Sequence, residues 1–186
     1  MHVHALTHER LAPAQRLAAE LFTWEAEHQH ALHAAVAPSE CEPFLDERKL
    51  QRVRAWVTED DAGVDGLVCF YDYWDDTHEV WLAWFGVAPR ARGAGRGTAL
   101  LDWAIETARA ERKTVLRLWT TMEEEYTAAL RLYARRGFRP EVQPPLPGEE
   151  WQTVVFSLSL DGSAVPAVGS NHTGTLLCGR TVTCAA

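Results

Sequence analysis

The sequence predicts an α+β sandwich built on a central mixed sheet. Hydrophobic patterns along the chain predict the element order β-α-α-β-β-β-α-β-α-β, which mixes hairpins with helical crossovers. The 186 residues are enough for one domain with a sizeable core. A hydrophobic fraction of 47% and a charged fraction of 24% are ordinary for a globular chain.

The N-terminal part of the chain predicts an edge strand followed by two helices. Residues 1–7 alternate between polar and apolar side chains, which predicts the strand. Residues 13–36 are rich in Ala, Leu and Glu and predict a long helix, with Pro13 in its first turn. Residues 37–43 contain two prolines and end that helix. A second, short helix is predicted over residues 46–54.

The middle of the chain predicts three strands joined by turns. A strand over residues 55–59 is followed by an Asp- and Gly-rich turn over residues 60–66, which is typical of a hairpin. The next strand covers residues 67–73. An acidic connection, residues 74–79, then leads to a continuously apolar strand over residues 80–87, which we expect at the centre of the sheet.

The C-terminal half predicts a helix, a strand, a second helix, a proline-rich loop and a final strand. Their ranges are 98–113, 114–119, 126–136, 140–148 and 151–160. From residue 161 onward the chain is rich in Gly, Ser, Thr and Ala without sustained periodicity. We therefore expect a domain of residues 1–160 and a disordered or loosely packed tail of residues 161–186.

One loop carries the strongest chemical signal. Residues 88–97 join the apolar strand to the following helix and contain the sequence PRARGAGRG. Glycines leave the backbone N–H groups uncovered, and these groups converge with the positive end of the helix dipole on an anion. Three arginines, at positions 90, 92 and 96, add positive charge. The loop therefore predicts a site for a phosphate or a pyrophosphate.

Two common phosphate-binding loops fit this sequence poorly. A Walker-type loop requires Lys and then Ser or Thr after its last glycine, but Thr98 and Ala99 follow Gly97. A dinucleotide fingerprint requires G-x-G-x-x-G and an acidic residue after the next strand. Here the third glycine comes one position early, and Thr120 and Thr121 follow that strand. A tight turn without any ligand is the remaining structural alternative.

Residues 87–101, VAPRARGAGRGTALL, resemble the acetyl-CoA-binding motif of the GNAT family of N-acetyltransferases. Arg92, Gly95 and Gly97 occupy the family pattern R/Q-x-x-G-x-G/A, which follows a Val-x-Pro strand end. Residues 129–138, ALRLYARRGF, resemble the family's A-x-x-L-Y-x-x-x-G-F helix end. The resemblance implies an α/β/α sandwich with a mixed, mostly antiparallel sheet. It also implies acetyl-CoA as co-substrate.

The resemblance implies a cofactor site made largely of backbone. The end of the apolar strand, at Phe85, Gly86 and Val87, would hydrogen-bond the pantetheine arm and the thioester carbonyl. Tyr126 occupies a position at which the family usually has an Asn that orients pantetheine or substrate. The pyrophosphate would lie on the loop residues Arg92, Gly93, Ala94, Gly95, Arg96, Gly97 and Thr98.

The resemblance also suggests catalytic residues. Tyr133 is implied as the acid that protonates the leaving thiolate, since a phenol with an ordinary pKa near 10 holds its proton at neutral pH. Packing alone is the alternative role for its ring. The family's usual glutamate base is replaced by Trp81. Glu79 lies two residues earlier, on the same strand face, and is the candidate base, acting directly or through a water. Asp76 and His78 are weaker candidates.

Composition limits the partners. The net charge of −8 argues against general nucleic-acid binding. The four cysteines lack C-x-x-C spacing, and no signal peptide or apolar run of about 20 residues occurs, so we expect a cytoplasmic protein without a membrane partner.

Of His28, His30 and His33, only the last two share a helix face, so we expect no metal site. A homodimer is left open.

The leading hypothesis is an acetyl-CoA-dependent N-acetyltransferase acting on the primary amine of a small molecule or peptide. The acidic residues Asp72, Asp75, Asp76 and Glu79 suggest a cationic acceptor. The resemblance implies that the segment between the first helix and the second strand helps to form the acceptor site. A non-catalytic acyl-CoA-binding module is the alternative, since the family's Glu and Asn are missing. A nucleotide-phosphate binder is the third hypothesis.

Overall fold

The fold is described by a computed structural model that covers residues 2–75, 77–145, 151–168, 176–177 and 180–181. Its main sheet contains the strands β1 (Val3–Ala5), β2 (Leu50–Asp60), β3 (Gly63–Tyr73), β4 (Glu79–Val87), β5 (Val115–Thr121), β6 (Arg139–Val142) and β7 (Thr153–Ser159).

These strands lie in the order β1-β2-β3-β4-β5-β7-β6. Every neighbouring pair is antiparallel except β4 and β5, which are parallel. The predicted mixed, mostly antiparallel sheet is therefore confirmed. β3 and β4 lie near its centre and are mostly buried, which explains why residues 80–87 of β4 form a continuous apolar run.

Five helices pack on the two faces of the sheet: α1 (His8–Leu21), α2 (Glu27–Val36), α3 (Glu42–Glu47), α4 (Arg96–Ala110) and α5 (Thr127–Arg135). Phe22, at the end of α1, contacts Trp84 of β4 with ring centroids 5.0 Å apart. The adjacent Phe85 instead contacts Tyr133 of α5. The first helices and the last helices therefore lie on opposite faces. Within the described residues, no helix is long and apolar enough to cross a membrane.

The predicted helix over residues 13–36 is wrong, because the chain breaks over residues 22–26 into two helices. The backbone N–H groups of Ala26 and Glu27 donate to one carboxylate oxygen of Glu25, which starts α2 anew. Phe22 turns inward onto the sheet. Tertiary packing and a local hydrogen bond thus override the high helix propensity of this stretch.

Three further boundaries differ from the prediction. Pro13 lies inside α1 and not in its first turn. The helix predicted over residues 46–54 is α3, which ends before Leu50 starts β2. The loop predicted over residues 140–148 begins with β6, where Pro140 is tolerated because this strand lies at the edge of the sheet.

Residues 161–168 continue from β7 back over the domain. The backbone carbonyl of Pro166 accepts a hydrogen bond from Arg117, and the N–H of Val168 donates to Glu141. A short strand pair follows, formed by β8 (Leu176–Leu177) and β9 (Arg180–Thr181). The remaining tail positions lie outside the described residues, so the tail over residues 161–186 stays a prediction.

Strands β4 and β5 pair over three residues only. Glu79, Val80 and Trp81 face Val115, Leu116 and Arg117, and no later residue of either fully described strand pairs with the other. β5 meanwhile stays paired with β7 along its whole length. On its other side, β4 has a bulge at Ala83, because Cys69 pairs with Trp84 while Phe70 pairs with Leu82. The sheet therefore opens between β4 and β5; we call this opening the β4–β5 gap.

The close packing of α1 on β4 leads to a stability prediction. A Cβ atom added at Gly86 would lie 2.6 Å from Cδ1 of Leu21. We expect Gly86→Ala to lower the free energy of unfolding by about 1 kcal/mol, measured by urea unfolding, because the Leu21 side chain must leave its rotamer.

Gly97→Ala is the matched control. Its Cβ would meet Cγ2 of Val87 at an ordinary 3.7 Å, within the first turn of α4. We expect this variant to unfold at the wild-type urea concentration or higher, because alanine favours a helix over glycine. Equal losses in the two variants would refute the packing argument.

Candidate functional site

The glycine-rich loop ends in an open helix N-terminus. Gly93 and Gly95 have φ angles of 81° and 79°, in the left-handed region that favours glycine. Nothing lies within 4 Å of a Cβ built on either residue. α4 begins at Arg96 without a side-chain cap and without an acidic residue in its first turn. Its first N–H groups are thus available to an anion, as the sequence predicts.

Two of the three loop arginines have structural partners, which corrects the expectation that all three charge the site. Arg90 donates to Asp60 and to the backbone carbonyls of Gly63 and Val64. Arg96 pairs with the fully buried Asp65, with Nη1 and Oδ2 2.6 Å apart. The guanidinium of Arg96 therefore anchors the loop to the β2–β3 hairpin.

Arg92 is held differently from Arg90 and Arg96. Its Nε donates to the backbone carbonyl of Val87, at 3.3 Å, and the structure gives it no carboxylate partner among the described residues. Its charge is therefore not neutralised within the described part of the chain. Of the three arginines, Arg92 is the one best placed to contribute charge to a bound phosphate.

The β4–β5 gap begins next to this loop. Because β5 does not pair with β4 beyond Trp81, the β5-facing N–H and C=O groups of residues 82–87 are free of ladder hydrogen bonds. Phe85, Gly86 and Val87 form the end of this unpaired stretch. An amide-containing chain can pair with such an edge as an added strand does. The groups implied for pantetheine are thus brought together with the loop.

Tyr133 lies at the wall of the β4–β5 gap. Its ring is buried against Phe85, Phe138 and Phe156, with centroids 5.6–6.5 Å apart. Its hydroxyl makes no hydrogen bond to another described residue. Burial raises the pKa of this phenol above its ordinary value, so the hydroxyl keeps its proton at neutral pH. The structure thus places a buried, protonated phenol in contact with Phe85.

Comparison with known proteins agrees with this geometry. The model of the Acetyltransferase (GNAT) family matches residues 14–138. The chain belongs to the GNAT family. Its members are acyl-CoA-dependent acetyltransferases that use acetyl-CoA as co-substrate, and the predicted fold class is confirmed. A search of curated proteins found no match.

Solved structures share the fold at low sequence identity. A GNAT-family protein from Desulfovibrio desulfuricans superposes with a TM-score of 0.66 at 17% identity, over 86% of this chain and 98% of the other. A chimera of the spermidine N-acetyltransferase from Vibrio cholerae gives 0.61 at 19%, over 86% and 97%. A ribosomal-protein-alanine N-acetyltransferase from Brucella melitensis gives 0.61 at 19%, over 86% and 99%.

Glu79 occupies a different part of this GNAT domain from Tyr133. It starts β4, six residues before Phe85, which corresponds to about 20 Å along a strand. Its carboxylate forms a buried ion pair with Nε of Arg117. Nη1 of Arg117 also donates to Ser157, at 2.6 Å. The carboxylate of Glu79, through Arg117, thus holds β4, β5 and β7 together where the β4–β5 gap closes. This structural role argues against Glu79 as the catalytic base.

Asp72, at the end of β3, does not contribute to an open anionic surface. It is buried and pairs with Arg54 at 2.9 Å and with Lys113 at 2.8 Å. Burial alone would raise its pKa, but Lys113 and Arg54 outweigh burial and hold the pKa below its ordinary value. Asp75 and His78 are exposed, and Asp76 lies outside the described residues. The expected role of Asp72 and Glu79 in attracting a cationic acceptor is therefore corrected, while that of Asp75 and Asp76 stays a prediction.

The α1–α2 connection contributes aromatic residues that the sequence did not single out, because a continuous helix was predicted there. Trp24 contacts Tyr126 edge-to-face, with centroids 5.9 Å apart. Tyr126 is half-buried in the short turn before α5. Its hydroxyl has a raised pKa, owing to burial and then to Glu125. The α1–α2 connection and the turn before α5 therefore meet through these two rings.

We expect Arg117→Met to lower the free energy of unfolding by about 3–5 kcal/mol, because it removes the guanidinium partner of the buried Glu79. The measurement is urea unfolding followed by tryptophan fluorescence. The double variant Glu79→Leu with Arg117→Met should recover most of this loss, since it buries no carboxylate. A double variant as unstable as the single one would contradict the structural role of the pair.

Proposed function

We propose that this protein transfers the acetyl group of acetyl-CoA to the primary amine of a small molecule or peptide. The observation that carries the proposal is the meeting of three features at one end of β4. These are the uncapped N-terminus of α4, the unpaired backbone of residues 82–87 and the protonated hydroxyl of Tyr133. Spermidine and an alanine of a ribosomal protein are the acceptors named for two proteins of similar fold.

The residues present fit acetyl-CoA. The N–H groups of residues 93–98, with the charge of Arg92, suit the pyrophosphate. The backbone edge at Phe85 and Gly86, which β5 leaves unpaired, suits the amides of pantetheine, and the bulge at Ala83 redirects β4 just before that edge. When bound, acetyl-CoA supplies the activated acyl group. This group is a thioester open to attack by an amine.

Each residue of the chain has a limited task in this chemistry. The free N–H groups of β4 stabilise negative charge on the carbonyl oxygen as it develops. Tyr133 holds a proton at the wall of the β4–β5 gap for the leaving sulfur. The aromatic rings around Tyr133 keep water away from that hydroxyl. Direct attack requires the amine and the thioester to be held together, with no covalent enzyme intermediate.

The phosphate role of the loop is testable through Arg92. We expect Arg92→Ala to weaken CoA binding by about 10- to 100-fold, measured by isothermal titration calorimetry, because a charged hydrogen bond to phosphate is lost. Arg109→Ala makes the same charge change at the other end of α4 and should alter the Kd by less than about twofold. An equal increase of the Kd in both variants would indicate that Arg92 acts through long-range electrostatic attraction and not through a direct contact with the phosphate.

The catalytic role of Tyr133 is testable with a variant that keeps its ring. We expect Tyr133→Phe to lower kcat by about 100-fold while the Kd of CoA stays the same, since only the proton donor is lost. The assay follows CoA release with a thiol reagent over an amine panel of phenethylamine, spermidine and an alanyl peptide. Tyr73→Phe removes another buried hydroxyl, at the far end of β3, and should retain wild-type kcat.

The same assay separates the enzyme from a non-catalytic acyl-CoA-binding module. Tight CoA binding without turnover of any amine in the panel would favour the module and reject the enzyme. Stronger thermal stabilisation by ATP or NAD than by CoA would instead favour a nucleotide-phosphate binder.

A further inference from the structure

A pocket of about 350 Å³ lies between the end of α1 and the start of α2. Phe22, Trp24, Glu25 and His28 are among its lining residues. Phe22 and Trp24 contact each other edge-to-face, with centroids 5.8 Å apart. Three of the eight lining residues are thus aromatic, and the volume of the pocket suits a small molecule.

His28 is the unusual group in this pocket. It is only 3% exposed, and its ring has the backbone of Glu25 as a polar neighbour, but neither ring nitrogen makes a hydrogen bond of good geometry to a described residue. His33, on the same helix, instead pairs with Glu40 at 3.0 Å. A buried polar group without a good partner destabilises the fold, so its presence calls for an explanation such as a catalytic role or a ligand.

The position of His28 connects the pocket with the reaction centre. Its ring lies 5.5 Å from that of Trp84, which directly follows the bulged Ala83 of β4. The next residue, Phe85, faces the opposite side of the sheet and contacts Tyr133. His28 and Tyr133 therefore flank the same short stretch of β4 from its two faces. A thioester in the β4–β5 gap would therefore lie between His28 on one face of the sheet and Tyr133 on the other.

The charges around His28 fit a single ammonium group. Glu25 is the one carboxylate among the lining residues of the pocket, and its Oε1 also accepts two backbone N–H groups. On the β4 side, Nε1 of Trp84 donates to Tyr71, whose hydroxyl donates to Glu27. Glu27 in turn pairs with Arg48. Burial lowers the pKa of His28, and Glu25 opposes this, so the imidazole is neutral at pH 7 and can accept a proton.

We infer that His28 accepts the proton of the acceptor ammonium and that this pocket selects a compact primary monoamine with an apolar carbon chain. This inference rests on the proposed function. The ammonium and the thioester give an amide, a thiol and one proton, and His28 is the group that takes that proton. The rings of Phe22 and Trp24 hold the apolar chain, and Glu25 is the one lining carboxylate that can attract the ammonium. A polyamine would place a second charge against these rings.

The test compares His28→Asn with His30→Asn, an exposed histidine on the same helix. We expect His28→Asn to lower kcat/KM for phenethylamine by about 100-fold, with the Kd of CoA unchanged. His30→Asn should behave as wild type. The wild-type kcat/KM should fall as the pH drops through the pKa of His28, below 6.5, since the protonated ring cannot accept a proton. The His28→Asn profile should lack that fall.

His28→Phe provides a second variant that keeps the aromatic packing with Phe22 and Trp84, so a folding defect of His28→Asn leaves the test intact. It should show the same loss of kcat/KM. Wild-type kcat/KM in His28→Phe, an unchanged pH profile in His28→Asn, or faster acetylation of spermidine than of phenethylamine by the wild type would overturn the inference. Absence of turnover by the wild type with every amine, with CoA bound, would instead reject the proposed function itself.

Discussion

The separation of β4 from β5 is the constraint on which this site depends. Two parallel strands that remained paired would leave no free backbone at the centre of the sheet. Here pairing stops after Trp81, while the buried ion pair of Glu79 and Arg117 keeps the strands joined below that point. Ser157 extends this contact to β7. The β4–β5 gap is thus a defined opening with one closed end, and the cofactor loop and Tyr133 lie toward its other end.

Buried charges in this protein serve mainly to fix the elements around the site. Asp65 anchors the loop through Arg96, and Asp72 ties β3 to Lys113 at the end of α4. The carboxylates of these pairs are already bound to cations, and the first turn of α4 contains no acidic residue. No carboxylate there competes with an anion for the N–H groups of α4. A chain with net charge −8 can therefore present a locally positive site, since many of its carboxylates already have cationic partners.

The sequence predicted most of what depends on local pattern. The loop, the helix after it and the tyrosine near the end of α5 could be predicted, because periodicity and short motifs are local properties. The partner of Arg96 could not be, since Asp65 lies on another hairpin and its pairing depends on the register. The break over residues 22–26 was missed because the contact of Phe22 with Trp84 outweighs helix propensity. The pocket of His28 was missed with it.

A crystal structure of the protein with CoA would show whether the β4–β5 gap holds the cofactor. We expect pyrophosphate oxygens to accept hydrogen bonds from the backbone N–H groups of residues 93–98. We also expect pantetheine amides to pair with β4 between residues 82 and 87, with the sulfur beside the hydroxyl of Tyr133. CoA bound elsewhere, or β5 paired with β4 beyond Trp81 in the complex, would show that the gap is not the cofactor site.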